Sequence, residues 1–337
     1  MVVFFHLKNT SRFFYDTIFN GDLGVLIFFV LSGFLITTLC IKEKVVTKDI
    51  SLKNFYIRRV LRIFPVAYLY ILVIIMLNYF FNLHISYISI LGCALYVMNF
   101  SSYFRKYYSS WYTDHFWSLS VEEQFYLFIP FILKKKFKVY LWVILSIAFI
   151  IPFITCLQYF YVSLNNKVLY AFTHYLIKFQ SIAVGCLFSV LTFKYSFNTR
   201  ILIKTKVITS ILVVSLLLFI KYNDNFTLRN VLAGFASSFL IGYIIIANIT
   251  PADDFIFKFL NAKLLKTIGV LSYSVYLWQE IFTSHNPGLP NFMVAFPYNI
   301  VCIITVSCAS YYFYEGFFLR LKSRFNRIKK RTVMAGV

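Results

Sequence analysis

Long apolar runs that alternate with short basic loops constrain the fold of this chain more than any other feature of its sequence. The run Leu23–Ile41 carries no charge, and it approaches the roughly 20 helical residues that a bilayer crossing needs. The segment Lys42–Arg62 then carries seven basic and two acidic residues, and Phe64–Phe81 is again uncharged. Because cytoplasmic loops are enriched in Lys and Arg, this pattern predicts two membrane-spanning helices joined by a cytoplasmic loop.

The composition supports the same class of protein. Hydrophobic residues make up 60% of the 337 residues and charged residues only 13%, which is more apolar surface than a soluble domain of this length can bury. The net charge of +21 lies almost wholly in loops and in the C-terminal tail, so anionic membrane lipids are the expected partners and nucleic acid is not. No cleaved signal peptide is expected. The six Cys residues lie singly in apolar runs and predict no metal site.

Counting basic loops predicts an all-α integral membrane protein with about ten transmembrane helices. The first span ends near Leu7 and is expected to be truncated at Met1. The later spans are Trp117–Leu133, Val139–Val162, Tyr175–Phe193, Val207–Ile220, Val231–Ile249, Leu264–Phe282 and Phe292–Tyr314. They form a single membrane domain over 1–325, followed by a basic cytoplasmic tail over 326–337.

The apolar run Ile85–Phe100 is expected to be re-entrant or non-spanning. The basic loop Lys134–Lys138 should face the cytoplasm, and this requires an even number of crossings after Arg62. Ile85–Phe100 contains Gly92 and Asn99, and irregular backbone is tolerated at membrane depth where it is buried in protein or lines a cavity.

Ionisable residues inside apolar runs are candidates for function, because each costs at least ~2.5 kcal/mol at the centre of a bilayer. The candidates are His6, Glu122, Glu123, His174, Glu280 and Glu315.

Glu122 and Glu123 are adjacent and therefore point about 100° apart on a helix. One carboxylate can face an internal cavity while the other meets a neighbouring helix. An equally weighted interpretation places the pair at a helix start, where Ser118 caps the helix and negative charge suits its dipole.

Arg58, Arg59 and Arg62 share one face of a helix by their spacing. Guanidinium groups suit the phosphates of coenzyme A and of lipids equally well. The spacing does not separate a donor-binding site from a lipid-binding site.

Four separated motifs together resemble the acyltransferase 3 family of integral membrane enzymes. They are GVLIFFVLSGFLIT at Gly24–Thr37 with FYIRRVLRIFPVAYL at Phe55–Leu69, HFWSLSVEEQFYLFIPFIL at His115–Leu133, LSYSVYLWQ at Leu271–Gln279, and YYFYEGFFLRL at Tyr311–Leu321. Two departures concern the late motifs: Gln279 stands where the family commonly has His, and Gly316–Phe317 follows Glu315 where the family has Glu-x-Pro.

The resemblance implies roles for particular residues. The family has a catalytic His in its first span, preceded by an Arg with ten residues between them. VVFFHL matches the end of that motif, so the resemblance assigns the catalytic base to His6, and the matching Arg would fall upstream of Met1. Glu122 or Glu123 would orient His6 or a proton carrier. Arg58, Arg59 and Arg62 would hold the nucleotide end of the donor.

The expected function is that of an O-acetyltransferase of the cytoplasmic membrane. It would move an acetyl group from cytoplasmic acetyl-CoA, or another acyl-CoA, to a sugar hydroxyl of an envelope glycan or its lipid-linked precursor. No permanently bound cofactor and no metal is expected. A transporter of lipid-linked saccharides would also explain the many spans and buried carboxylates, and an inactive relative of the family is the other alternative.

Overall fold

The computed structural model describes residues 2–7, 21–103, 111–160, 167–194, 234–249, 253–284 and 289–325, with four further positions between 208 and 215. Every regular element in these ranges is helical. The helices are α1 Val2–Leu7, α2 Gly21–Thr47, α3 Leu52–Phe81, α4 Tyr87–Ala94, α5 Trp111–Asp114, α6 Phe116–Lys135, α7 Phe137–Leu145, α8 Ile151–Phe160, α9 Lys167–Leu176, α10 Gln180–Lys194, α11 Gly234–Ala247, α12 Phe255–Leu260, α13 Lys263–Phe282, α14 Asn291–Val294, α15 Tyr298–Ala309 and α16 Gly316–Ser323. The all-α prediction is therefore confirmed.

Five of the described helical stretches are long and apolar enough to cross a membrane. They are Gly21–Thr47, Leu52–Phe81, Phe137–Gln158, Ile177–Lys194 and Tyr298–Ser323. Single turns of π-helix bridge α7 to α8 and α15 to α16, so two of these stretches combine two α-helices each. These five stretches identify the chain as a membrane protein. The count of about ten spans stays a prediction. The expected span 207–220 lies almost wholly outside the described residues.

The run 85–100 contains one short α-helix and the start of a 3-10 helix that covers Met98–Tyr103. α4 has eight residues, and its length of about 12 Å cannot cross a hydrocarbon core of about 30 Å. The side chain of Asn78 accepts a hydrogen bond from the backbone of Ile85 at 2.9 Å and so ties the start of this segment to α3. Tyr96 has a positive φ of 53°, where the chain turns after α4.

The chain divides into two compact units. Unit 1 contains Met1–Gly21, Glu43–Gln124 and Lys263–Val337, and unit 2 contains Asp22–Lys42 and Phe125–Ala262. The prediction of one membrane domain over 1–325 stays a prediction, and the tail 326–337 lies outside the described residues.

α13 is the central helix of unit 1. It packs against α1, α3, α5, α14 and α15, and α16 packs along α3. The C-terminal half of α13 is almost continuously buried, from Tyr273 to Phe282. Polar side chains on this half are therefore placed among several neighbouring helices.

Unit 2 is held together by a close approach of two helices. A Cβ atom built on Gly33 of α2 would lie 1.9 Å from the backbone oxygen of Ile182, and one built on Gly185 of α10 would lie 2.0 Å from that of Val30. Only glycine allows helix backbones to approach this closely, which is how small residues serve packing in a membrane.

Candidate active site

Half-buried His6 and buried Glu280 lie side by side in unit 1. Nδ1 of His6, on α1, lies 2.9 Å from Oε1 of Glu280, on α13. The ring presents this nitrogen off the line of an ideal hydrogen bond. The side chain of Glu280 is only 3% exposed and that of His6 is 18% exposed. The imidazole therefore keeps an accessible edge while its Nδ1 side faces a carboxylate.

Trp111 contacts both His6 and Glu280. Its Nε1–H donates a hydrogen bond of 3.0 Å to the backbone oxygen of Glu280, and its ring lies 5.2 Å from the ring of His6. One side chain of α5 thereby contacts both members of the pair. The indole limits the directions that the imidazole can adopt, since aromatic side chains are large and rigid.

α13 also positions a second histidine, His115. The hydroxyl of Tyr276 donates a hydrogen bond of 3.0 Å to the backbone oxygen of His115, and the same hydroxyl lies 2.6 Å from the hydroxyl of Ser118. Tyr276 and Glu280 are four residues apart and share one face of α13. One turn of this face therefore contacts His6 through Glu280, and the preceding turn contacts the backbone of His115 through Tyr276.

His115 is buried among aromatic rings. It is 4% exposed, and its ring meets Tyr70 at 5.1 Å and Phe116 at 4.9 Å, both edge to face. Burial, and secondarily the nearby His6, lowers the pKa of His115 to about 3. Its imidazole is therefore neutral at physiological pH.

Glu122 and Glu123 lie on α6 and face different neighbours. Glu122 is 3% exposed, and its charge acts on Tyr276. Glu123 lies within electrostatic range of Arg59. The carboxylate beside His6 is that of Glu280, so orientation of His6 by Glu122 or Glu123 stays a prediction, and the structure adds a third candidate for that role.

Arg58 is held by groups of the protein itself. Its Nη2 lies 3.0 Å from Oε2 of the buried Glu43, and its Nη1 donates a hydrogen bond of 2.8 Å to the backbone oxygen of Phe325. Oε1 of Glu43 also accepts a hydrogen bond from the backbone of Ser51 at 3.0 Å. These contacts fix the start of α3 against the end of the described chain.

Arg59, Arg62 and Lys322 extend the positive charge along α3 and α16. Lys322 is half-buried and lies within electrostatic range of Arg62, Arg59 and Arg58. The guanidinium of Arg59 lies 5.7 Å from the ring of Phe55. We call these four cations, Arg58, Arg59, Arg62 and Lys322, the basic cluster.

Glu315 and His174 are the two remaining candidates from the sequence. Glu315 accepts a short hydrogen bond from the hydroxyl of Ser274 and is buried, and Arg62 acts on it electrostatically. His174 lies on α9 in unit 2, and its side chain is outside the described residues.

A profile of the acyltransferase domain matches residues 1–315 of this chain. The chain belongs to the acyltransferase 3 family. The match covers the helices that carry His6, Glu122, Glu123 and Glu280, so both the predicted residues and the added glutamate lie within the family's domain.

Named relatives in the acyltransferase 3 family are O-acetyltransferases. The chain is 30% identical over 297 residues to the peptidoglycan O-acetyltransferase OatA of Listeria monocytogenes, a match that covers 80% of this chain and 46% of the relative. It is 30% identical over 280 residues to the O-acetyltransferase OatA of Staphylococcus aureus strain NCTC 8325, covering 77% of this chain and 45% of the relative. This chain thus matches less than half the length of these relatives. No solved structure matches it.

Sequence reasoning singled out some residues of this candidate site and assigned others no partner. It included Glu280 among the intramembrane carboxylates, but it assigned that residue no partner because nothing in the local pattern connects it to His6. It noted His115 only as a neighbour of the Glu122–Glu123 motif. Lys322 resembles any basic residue at a helix end, and only its packing against α3 shows its neighbours.

Proposed function

We propose that this chain is a membrane-embedded O-acetyltransferase that moves an acetyl group from acetyl-CoA to a sugar hydroxyl of a cell-envelope glycan or its lipid-linked precursor. Family membership and the names of the relatives support the reaction class. The observation that carries the proposal is the His6–Glu280 pair, with Nδ1 and Oε1 2.9 Å apart.

This pair suits a general base. A carboxylate beside Nδ1 favours the tautomer that carries its proton on that nitrogen, and this leaves the Nε2 lone pair available. His6 then takes the proton of the sugar hydroxyl as its oxygen attacks the thioester carbonyl carbon. The carbon–sulfur bond of the tetrahedral intermediate breaks, and the proton passes from His6 to the departing thiolate. The products are an acetyl ester and coenzyme A.

The basic cluster supports a phosphate-bearing donor. Lys322 lies within electrostatic range of Arg59 and Arg62, and a group of cations favours a multiply charged anion. Coenzyme A carries such a group at its nucleotide end. By the positive-inside rule we place this cluster at the cytoplasmic face of a multi-pass protein of the cytoplasmic membrane, with a cytoplasmic C-terminus. Anionic lipids remain a second source of phosphate for the same cations.

The test is acetyl transfer from labelled acetyl-CoA to envelope glycan in membranes that carry the protein. His6→Ala should lower transfer by about 10²–10⁴-fold, the usual contribution of a positioned general base. His84→Ala is the matched control, because His84 is an exposed imidazole of the same unit, and it should leave transfer unchanged. Undiminished transfer by His6→Ala would remove His6 from the mechanism. Lipid-linked saccharide movement without acetylation would favour a transporter.

A further inference from the structure

The packing around His115 does not explain why a polar ring lies at this position. Both ring nitrogens, Nδ1 and Nε2, are buried without a hydrogen-bond partner among the described residues. A buried polar group left unpaired costs about 1–3 kcal/mol, and native structures rarely keep one without a reason. An apolar side chain of similar size would fill the same space without that cost.

The surroundings explain where the ring lies but not its nitrogens. Tyr70, Phe116 and Tyr276 contact it with their aromatic rings. The hydrogen bond from Tyr276 goes to the backbone oxygen of His115 and not to its side chain. These contacts account for the position of the ring and leave both of its nitrogens without a hydrogen-bond partner among the described residues.

The position of His115 near His6 indicates a role for its two ring nitrogens. Its ring lies within electrostatic range of His6, and Tyr276, which holds its backbone, shares a face of α13 with Glu280, which holds His6. The segment of His115 continues directly from α5, whose Trp111 contacts His6. The imidazole of His6 and the segment of His115 therefore lie beside neighbouring turns of one face of α13.

Acyl transfer needs a hydrogen-bond donor that His6 cannot supply. When the sugar oxygen attacks, negative charge develops on the carbonyl oxygen of the acetyl group, and a preorganised donor in a dry site stabilises it. A neutral imidazole has one N–H that serves this purpose without carrying a charge of its own.

We propose that His115 donates a ring N–H hydrogen bond to the carbonyl oxygen of the transferred acetyl group and stabilises its oxyanion during transfer. This inference rests on the proposed function for the identity of the donor. In this arrangement His6 moves the proton and His115 binds the oxygen that gains the negative charge.

The first experiment compares His115→Leu with His115→Gln and His115→Asn in the transfer assay. Leu fills the space without a donor, and we expect kcat to fall by about 10²–10³-fold, while KM for acetyl-CoA changes less than threefold. Gln and Asn place an N–H near Nε2 and Nδ1 respectively, so one of them should recover at least tenfold of the lost kcat. Full activity of His115→Leu would overturn the proposal, and so would equal kcat for all three variants at equal amounts of folded protein.

A second measurement does not depend on transfer and covers the case in which the Leu variant fails to fold. Isotope-edited infrared spectroscopy of bound acetyl-CoA labelled with ¹³C at the carbonyl reports the hydrogen bond directly. We expect a lower carbonyl stretching frequency with the wild type than with whichever of the Gln and Asn variants lacks the aligned donor. Identical frequencies in wild type and all variants would overturn the proposal.

The two proposals fail in different ways. If the wild type binds acetyl-CoA with a lowered carbonyl frequency but acetylates no glycan, the proposed acceptor is wrong and the role of His115 stands. If the wild type transfers acetyl groups and the variants match it in kcat and in frequency, the role of His115 is wrong and the proposed function stands. If the wild type binds no acetyl-CoA, both are wrong.

Discussion

The two units of this member of the acyltransferase 3 family differ in the chemistry of the groups that they bury. The buried carboxylates and imidazole of the described residues, Glu43, His115, Glu122, Glu280 and Glu315, all belong to unit 1. The buried polar side chains described in unit 2 are hydroxyls and amides, such as those of Thr37 and Gln158.

Some of the buried polar side chains of unit 2 pair with one another. The hydroxyls of Thr37 and Tyr140 are 2.8 Å apart, and that of Thr173 donates to the side-chain oxygen of Gln158 at 2.7 Å. Neutral pairs of this kind contribute only about 0.6–2 kcal/mol each to helix association in a membrane. Unit 2 therefore depends chiefly on close packing of its helices.

This difference indicates how chemistry and structural support are divided between the two units. A buried charge is tolerated only where it is paired or where function requires it, and unit 1 keeps several. We infer that unit 1 carries the chemistry and that unit 2 maintains shape. Substitutions in unit 2 should then change the amount of folded protein, whereas substitutions in unit 1 should change rate constants.

The largest expected effect tests the packing of unit 2. Gly185→Ala places a Cβ 2.0 Å from the backbone oxygen of Val30, so the helices must separate. Overpacking costs about 1–3 kcal/mol or more, and the yield of folded protein should fall severalfold with a clear loss of thermal stability in detergent. The measurement is size-exclusion yield together with a thermal unfolding curve.

Gly269→Ala is its matched control in unit 1. Nothing lies within 4 Å of a Cβ at that position, and alanine favours helix over glycine by about 1 kcal/mol. Stability should stay equal or rise. Equal behaviour of the two variants would contradict the view that unit 2 depends on this close approach.

The next effect tests the ionisable groups of unit 1. Glu280→Gln keeps the size of the side chain but removes the charge that faces Nδ1 of His6, and transfer should fall by about 10²-fold or more, within the range of general-base catalysis. Glu122→Gln and Glu123→Gln belong in the same series, because the sequence predicted that one of these two glutamates orients His6 or a proton carrier. Steady-state kcat at equal protein amount decides which glutamates matter.

Gln158→Met serves as the counterpart in unit 2. Gln158 is a buried neutral group of that unit, and its replacement should leave kcat within about twofold while lowering stability by about 1–3 kcal/mol. A large loss of kcat at unchanged stability would break the division of tasks between the units.

The smallest expected effect concerns the basic cluster. Lys322→Ala removes one cation of the cluster that we propose binds the donor phosphates. KM for acetyl-CoA should then rise about tenfold, which corresponds to about 1.4 kcal/mol, with kcat nearly unchanged. Added salt should reduce the difference between the variant and the wild type, because screening weakens the contact.

Lys258→Ala is the control for charge alone. Lys258 is 68% exposed in unit 2 and pairs with Asp253 at 2.6 Å, so its loss should leave KM unchanged. If Lys322→Ala behaves in the same way, the cluster does not hold the donor. A change in lipid dependence without a change in KM would assign the cluster to anionic lipids.

Much of the fold could be predicted from the sequence because its cause is local. A helix that crosses a bilayer satisfies its backbone within itself, so runs such as Leu23–Ile41 and Phe64–Phe81 were enough to predict α2 and α3. The shared face of Arg58, Arg59 and Arg62 follows from helical spacing, and the separate directions of Glu122 and Glu123 follow from their adjacency.

Only the tertiary structure decided which residues meet. Glu280 lies beside His6 because α13 packs against α1, and Lys322 joins Arg59 and Arg62 because α16 packs along α3. The lack of a partner for the two nitrogens of His115, among the residues that the structure describes, is likewise a property of its surroundings. Periodicity along a chain encodes which face of a helix is apolar, but it does not encode which helix will cover that face. Contacts between residues distant in sequence therefore depend on how side chains of many helices fit together at once.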